Sequence, residues 1–407
     1  MSNSLLIKGL YLLIIIQSSI FINTTFINLS LLSQLKYPYL IFISGVTLLF
    51  ILKNNIKLLG NKINTSIIIF FLIILIFGTI FSMKIEVSLF RGFLAFITFF
   101  YIWALISIYS ATNTLKYIFR FLLYLSYGIV FLSDFLLLIN NQNIFQSGNF
   151  RSFFENSNSF ASFVILFLIP VLTYQIINKK LVYINYFVLV NSLYLVFLAK
   201  SRSAILSLFI FFAVLFIIRY IYFRKNTIIN NIKYFVSFLI ILSIFYFNQD
   251  PIYKYFVKYE HIKSSNLAET RLSLWNDRIM AIDEKPLTGW GYGINYRDYS
   301  LILQKDWNYI TGETEKGNTI LSIFEEFGIF FGSIIILFIT HFLYIIIKNI
   351  KYNLSNNLYI ISTAVLIASI IHVNFESWLI YFGNINSFIF WLLLISTLNI
   401  KKENYEY

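Results

Sequence analysis

Arginines set between long apolar runs are where this sequence could do chemistry. Arg202 lies in the turn AKSRSA, at the start of a run whose helix would present unpaired backbone N–H groups and a partial positive charge. A guanidinium at such a helix start, with Ser201 or Ser203 as cap, makes an anion site. An arginine that snorkels from a helix end to the interface is the other reading. Arg151 repeats the arrangement in GNFRSFFENSNSFASF, where Asn156, Asn158 and Ser159 are turn and cap residues and a plain loop-to-helix junction competes with binding. In NLAETRLSLWNDRIMAIDEKPLTGWGYG, Arg271, Trp275 and Arg278 are four and three residues apart, which puts two guanidiniums and an indole on one helical face before Pro286 stops the helix. That face suits a phosphate and a sugar ring. It suits equally a solvated amphipathic surface with Glu269 and Asp277 as partners.

Other groups are weaker candidates. GWGYG (289–293) lacks the strand before and the helix after that a dinucleotide loop requires, so it reads as a turn allowing close backbone approach. Arg91 and Asp134 fall near the outer ends of apolar runs, where intramembrane charges are functional suspects, and they are expected to pair with each other. His261, His341 and His372 are too dispersed to make a metal cluster, and with no cysteine there is neither a disulfide nor a thiolate nucleophile.

The elements that must position these residues are membrane helices. The chain has 407 residues, 59% hydrophobic and 12% charged, against about a quarter charged in soluble proteins. Runs of the roughly 20 residues needed to cross a bilayer recur along it. An all-α polytopic fold of about twelve transmembrane helices is expected, near 10–28, 37–52, 66–83, 88–109, 117–139, 159–178, 181–199, 203–223, 234–247, 319–347, 358–374 and 378–398. The first run follows Lys8 as a signal peptide would, but no small-residue cleavage site follows, and it is read as a helix. Nine spans (1–247) precede one large outer loop (248–317), and three spans with a cytoplasmic tail (318–407) follow it. With the N-terminus inside, the inner segments hold 16 of the 31 Lys and Arg residues and two acids, Glu403 and Glu406. That is a net +14 within a total of +13, so the outer side sums to −1. This positive-inside pattern puts both termini in the cytoplasm. It also excludes nucleic acid as a partner, since the basic residues form no patch. A connection of about 70 residues is long enough to be functional.

Five stretches in order resemble the O-antigen ligase and polymerase family of bacterial envelope glycosyltransferases: NSNSFA, SRSA, RLSLW with KPLTGWGYG, GNTILSIFEEFGIFFG, and NFESWL with FWLLL. The resemblance covers roughly residues 148–397. It implies glycan transfer from an undecaprenyl-diphosphate-linked oligosaccharide to an acceptor hydroxyl, outside the bacterial cytoplasmic (inner) membrane. It also implies that Arg202 and Arg271 hold the donor diphosphate. Arg151, Arg278, Trp275 and Asn318 are the accompanying substrate-binding candidates. Gly317 departs from the family, which typically has a histidine there; Glu315, with Glu313 and His261, is the candidate substitute for activating the acceptor. The expected enzyme is a metal-independent, cofactor-free polymerase extending a lipid-linked acceptor. Its partners would be membrane lipid and a chain-length regulator protein. A ligase delivering glycan to lipid A core or protein is the alternative, and a lipid-linked oligosaccharide flippase or other transporter is the alternative of another class.

Overall fold

Backbone polar groups in hydrocarbon must be satisfied within the segment that carries them, which makes helices of apolar runs this long. The computed structural model describes residues 3–18, 35–139, 145–146, 149–152, 154, 156–222, 269–295, 316–382 and 384–400. The first five helices are α1 (Asn3–Ser18), α2 (Lys36–Lys53), α3 (Lys62–Ile80), α4 (Ile85–Tyr109) and α5 (Ala111–Leu138). A small antiparallel hairpin of β1 (Phe145–Gln146) and β2 (Asn149–Phe150) leads into α6 (Ser157–Ile177), whose middle, Val164–Leu168, is π-helical. Then come α7 (Val182–Ala199), α8 (Arg202–Tyr222), α9 (Glu269–Glu284), α10 (Thr319–Lys348), α11 (Asn357–His372) and α12 (Ile385–Leu398).

Seven of these, α3 to α8 and α10, are long and apolar enough to cross a membrane, and α1, α2, α11 and α12 are shorter apolar helices. The expected ninth span, 234–247, lies outside the described residues, as do the loop segments 248–268 and 296–315. Among the boundaries that differ from expectation, two move by seven residues. The first helix begins at Asn3 instead of residue 10, and the last begins at Ile385 instead of 378. In the second case Asn384 caps the helix by accepting from Asn386 N–H at 2.8 Å. The residues before it, Trp378 to Phe382, are apolar but turn back into the core, which hydropathy cannot tell from helix.

A helix that is apolar all round belongs in the interior. Accordingly every residue of α12 is buried, and α6 buries most of its length, whereas α3, α5, α7, α8 and α10 bury about a third of theirs and turn the rest outward. Around α12 pack α4, α5, α10 and α11. Trp391 of α12 contacts Phe70, Phe71 and Phe382 at centroid distances of 5.2 to 5.9 Å, in tilted, edge-on and stacked pairs. Buried hydroxyls return their protons to their own helix: Thr98 to Leu94 O, Ser192 to Val188 O and Thr363 to Tyr359 O, at 2.7 to 2.8 Å.

The helix that matters most for the site is broken. Within α10, Gly328 takes φ +71°, ψ 172°, a region only glycine enters readily. The carbonyls freed at the break are taken by the GWGYG strap. Trp290 N–H donates to Glu325 O at 2.8 Å and Gly291 N–H to Glu326 O at 2.9 Å, while Ile329 N–H turns to Pro286 O at 2.7 Å. The strap continues to α3, where Tyr292 N–H donates to Gly78 O at 2.9 Å. The expected close backbone approach at these glycines is therefore a helix–strap joint.

Candidate functional site

The α7–α8 connection is as tight as its sequence suggests. Lys200 adopts a left-handed conformation (φ 53°, ψ 34°) and closes α7 with its N–H on Phe197 O at 3.1 Å, so Ser201 and Arg202 follow at once. Ser201 holds the position before α8: its carbonyl accepts from Ile205 N–H at 3.1 Å, and its Oγ lies 3.4 Å from Ser203 Oγ. Arg202 is the first residue of α8 and is partly buried. It lies near enough to Arg271 of α9 for the two charges to interact. Two guanidiniums from separate stretches of chain thus come within electrostatic range of each other near one helix start.

Gly317 closes the same corner. It precedes α10, has φ +73°, and a Cβ placed on it would stand 3.7 Å from Arg271 Nη1 and 3.1 Å from Leu274 Cδ1. Trp275 Nε1–H donates to the Gly317 carbonyl at 3.3 Å, which fixes α9 against the start of α10. Asn318 caps α10 by accepting from Leu321 N–H at 3.0 Å and donates from Nδ2 to Asn374 O at 3.0 Å. Both ends of that amide serve the fold, where the sequence reading had given Asn318 to substrate. The chain after α11 is tied to this corner as well, since Thr319 N–H donates to Val373 O at 2.9 Å.

Arg278 goes elsewhere. Its side chain is 1% exposed, and Nη1 donates to Glu325 Oε1 and to Asn295 Oδ1, each at 2.5 Å. Lys316 completes the buried group: Nζ is 3.2 Å from Glu325 Oε2, 2.5 Å from Glu326 Oε1 and 2.8 Å from Ile294 O. Tyr381 OH donates to Glu326 Oε1 at 2.7 Å. The expectation that Arg278 shares a substrate-facing surface with Arg271 is corrected by this pairing. Two guanidiniums seven residues apart share a helical face, but here the second is buried against α10.

Arg91 lies over the Tyr381 ring at 5.5 Å, while Asp134 accepts from Asn191 Nδ2. The expected Arg91–Asp134 pair does not form. Arg151, partly buried, sits where β2 hands over to α6, and its carbonyl accepts from Phe154 N–H at 3.0 Å. Asn156 is the α6 cap, accepting from Ser159 N–H at 2.8 Å. Glu315, Glu313 and His261 lie outside the described residues.

The O-antigen ligase family model matches residues 187–337, from the middle of α7 through α8 and α9 into α10. Over those residues the chain is similar to the O-antigen ligase family. The match spans Arg202, Arg271, Trp275, Arg278 and Asn318, and stops before α11. No curated protein matches the chain. That similarity, on a scaffold of apolar helices, supports a membrane glycosyltransferase-like enzyme of the ligase or polymerase type.

The sequence reading missed the Glu325–Glu326 pair and the groups at the end of α11. Two adjacent carboxylates inside an apolar run were a legible signal, because ionisable residues there need partners. Nothing in the sequence linked them to Arg278 and Lys316. His372 is fully buried and near enough to Arg271 to feel its charge. Its importance depends on long-range contacts that spacing does not reveal.

Proposed function

We propose that this protein is a polysaccharide polymerase, transferring glycan from an undecaprenyl-diphosphate donor to a lipid-linked acceptor oligosaccharide. One observation carries the reading: Arg202, at the start of α8, and Arg271, on α9, lie within range of each other's charge. Two guanidiniums within range of each other suit a diphosphate, which carries two charges to share. As the C1–oxygen bond of the donor sugar breaks, negative charge grows on a leaving group that is already weakly basic. Preorganised positive charge is therefore the main requirement, and guanidinium groups, which do not lose their protons, meet it without a metal. The N-terminus of α8 adds its partial charge.

Arg151 is assigned to the diphosphate with Arg202 and Arg271, and Trp275 to the sugar, while Arg278 and Asn318 hold the walls. Polymerase is preferred to ligase because position 317, beside Arg271, carries no side chain where ligases typically have histidine. By the positive-inside pattern the site faces outward, with both termini cytoplasmic. Glu315 remains a proposed contributor from the outer loop. A chain-length regulator is a proposed partner.

Arg202→Ala and Arg271→Ala are expected to abolish chain extension in cells while the protein still inserts in the membrane; full-length polymer from both variants refutes the diphosphate clamp. Deleting the gene separates the classes. Single repeats left attached to their carrier lipid or core identify a polymerase, unattached long chains a ligase, and lipid-linked repeats trapped on the cytoplasmic side a flippase.

A further inference from the structure

Transfer to a hydroxyl also needs a group to take its proton, and position 317 offers none. The segment after α11 brings a carboxylate to this corner. Glu376 O accepts from Thr319 Oγ1–H at 3.1 Å, and Ser377 Oγ accepts from Lys316 N–H at 3.1 Å. Together with the Asn318–Asn374 and Thr319–Val373 bonds, these hold residues 373–377 rigidly against the start of α10, beside Gly317 and Arg271.

Glu376 is partly exposed as a residue, although its Oε1 is buried, and its Oε2 lies 3.4 Å from Ser162 Oγ near the start of α6. Ser162 Oγ is in turn 3.0 Å from His372 Nε2. On the far side of the ring, Trp378 Nε1–H donates to His372 Nδ1 at 3.1 Å. An indole nitrogen can only donate, so Nδ1 carries the lone pair and Nε2 the proton. His372 is therefore the neutral Nε2–H tautomer and donates to Ser162 Oγ. The serine's own proton is left for Glu376 Oε2 or for Asn158 O, 2.6 Å away. Trp378, His372 and Ser162 form a directed chain that runs beside the Glu376 carboxylate.

We propose that Glu376 takes the proton of the acceptor hydroxyl, with Ser162 and His372 as positioning residues that hold it. This rests on the glycosyl-transfer reading above. In the step, the acceptor oxygen bonds to C1 of the donor sugar and its proton passes to Glu376. The C1–oxygen bond to the diphosphate breaks with its electron pair, and the diphosphate charge is met by Arg202 and Arg271. The residue serves the role that a histidine at 317 would fill. A general base contributes about 10²- to 10⁴-fold to such a reaction, and hydrogen bonds around it are commonly long before substrate arrives.

The test uses the full chain, purified in lipid nanodiscs. Its probes are lipid-linked repeats extracted from a strain lacking the gene, for chain extension, and undecaprenyl diphosphate, for binding. Glu376→Gln, which keeps the shape, is expected to lower extension about 10²- to 10⁴-fold and to leave undecaprenyl diphosphate binding unchanged. Ser162→Ala removes the hydroxyl 3.4 Å from the carboxylate and is expected to move the acid limb of the rate profile to higher pH, which a merely structural serine would not do. Glu376→Asp is expected to retain partial activity and serves if the glutamine variant fails to insert. Extension by Glu376→Gln at the wild-type rate, loss of its diphosphate binding together with extension, or an unmoved acid limb in Ser162→Ala overturns the proposal. Inactive Arg202→Ala and Arg271→Ala beside an active Glu376→Gln would sink this inference alone. Active arginine variants would sink the reading beneath it.

Discussion

Arg278 and Glu325 provide a test whose size follows from burial. The side chains are 1% and 0% exposed and 2.5 Å apart, and Lys316 sits 3.2 Å from the second oxygen of Glu325 and 2.5 Å from Glu326. These four groups sum to zero charge. Glu325→Met leaves two cations facing one carboxylate with no water to screen the excess, and breaking a buried pair in this way costs about 3–5 kcal/mol. At about 2 °C per kcal/mol, the low end of the scale and suited to a large chain, the variant should melt roughly 6–10 °C below the parent. Arg278→Met leaves Glu325 with a shared lysine and should fall similarly. The double variant keeps the neutral Lys316–Glu326 pair and replaces the other by apolar contact, which is often close to neutral in stability. It should therefore melt above either single variant. Melting followed by gel filtration of detergent-solubilised protein measures all four forms. Held below its melting temperature, Arg278→Met should also bind undecaprenyl diphosphate like the parent, in contrast to Arg271→Ala. The reasoning is refuted if the single variants melt with the parent, if the double variant is worse than both, or if folded Arg278→Met loses diphosphate binding.

Two further outcomes test the helix–strap joint. Gly328→Ala forces a side chain into a backbone region reserved for glycine, at a cost of about 1–3 kcal/mol before the new Cβ meets Leu287 C and Thr288 N; limited proteolysis should then cut near residues 285–291, and a parent-like cleavage pattern would count against the joint. Tyr292 is buried, its hydroxyl donates to Ile380 O, and burial together with the Glu326 charge holds its phenol well above the ordinary 10. The folded state thus keeps a proton that the unfolded chain gives up near pH 10, so stability is whole below that pH and falls as pH rises beyond it. Tyr292→Phe should flatten the fall, as read from melting temperature against pH; an unchanged slope would show that the phenol takes no part.

Helix positions were legible where apolar length decides them. Apolar runs around 159–178, 181–199 and 319–347 appear as α6, α7 and α10 with ends moved by a few residues. Residues 378–382 were misread because Trp378, Leu379, Ile380 and Phe382 are as apolar as a helix, yet fold into the core as a turn. Arg202 and Arg271 could each be singled out, since a cation at a helix start or on an aromatic face stands out in a sparsely charged chain. Their meeting could not be read, because some seventy residues separate them. Arg278 was assigned outward by local spacing and Asn318 to substrate by the family resemblance. Helical spacing says which residues share a face and nothing about what that face packs against.

The break at Gly328 joins these observations. An unbroken α10 would close its own hydrogen bonds past Glu325 and Glu326 and offer the strap no carbonyls. Because the helix opens there, Trp290 and Gly291 dock on it, and Arg278 reaches Glu325 from the helix that also carries Arg271. Trp275 anchors the same helix to Gly317, one residue from Lys316, whose amine bridges both glutamates. The position of Arg271 is thus set by a joint built on one glycine, two adjacent carboxylates and an indole. Arg202 is set independently, by the tight turn after α7. A diphosphate clamp of this kind depends on two rigid mounts at a fixed separation, since a charge displaced by an ångström stabilises the leaving group far less. On this argument, variants that loosen the joint without touching an arginine should lower the rate of transfer more than they lower donor binding.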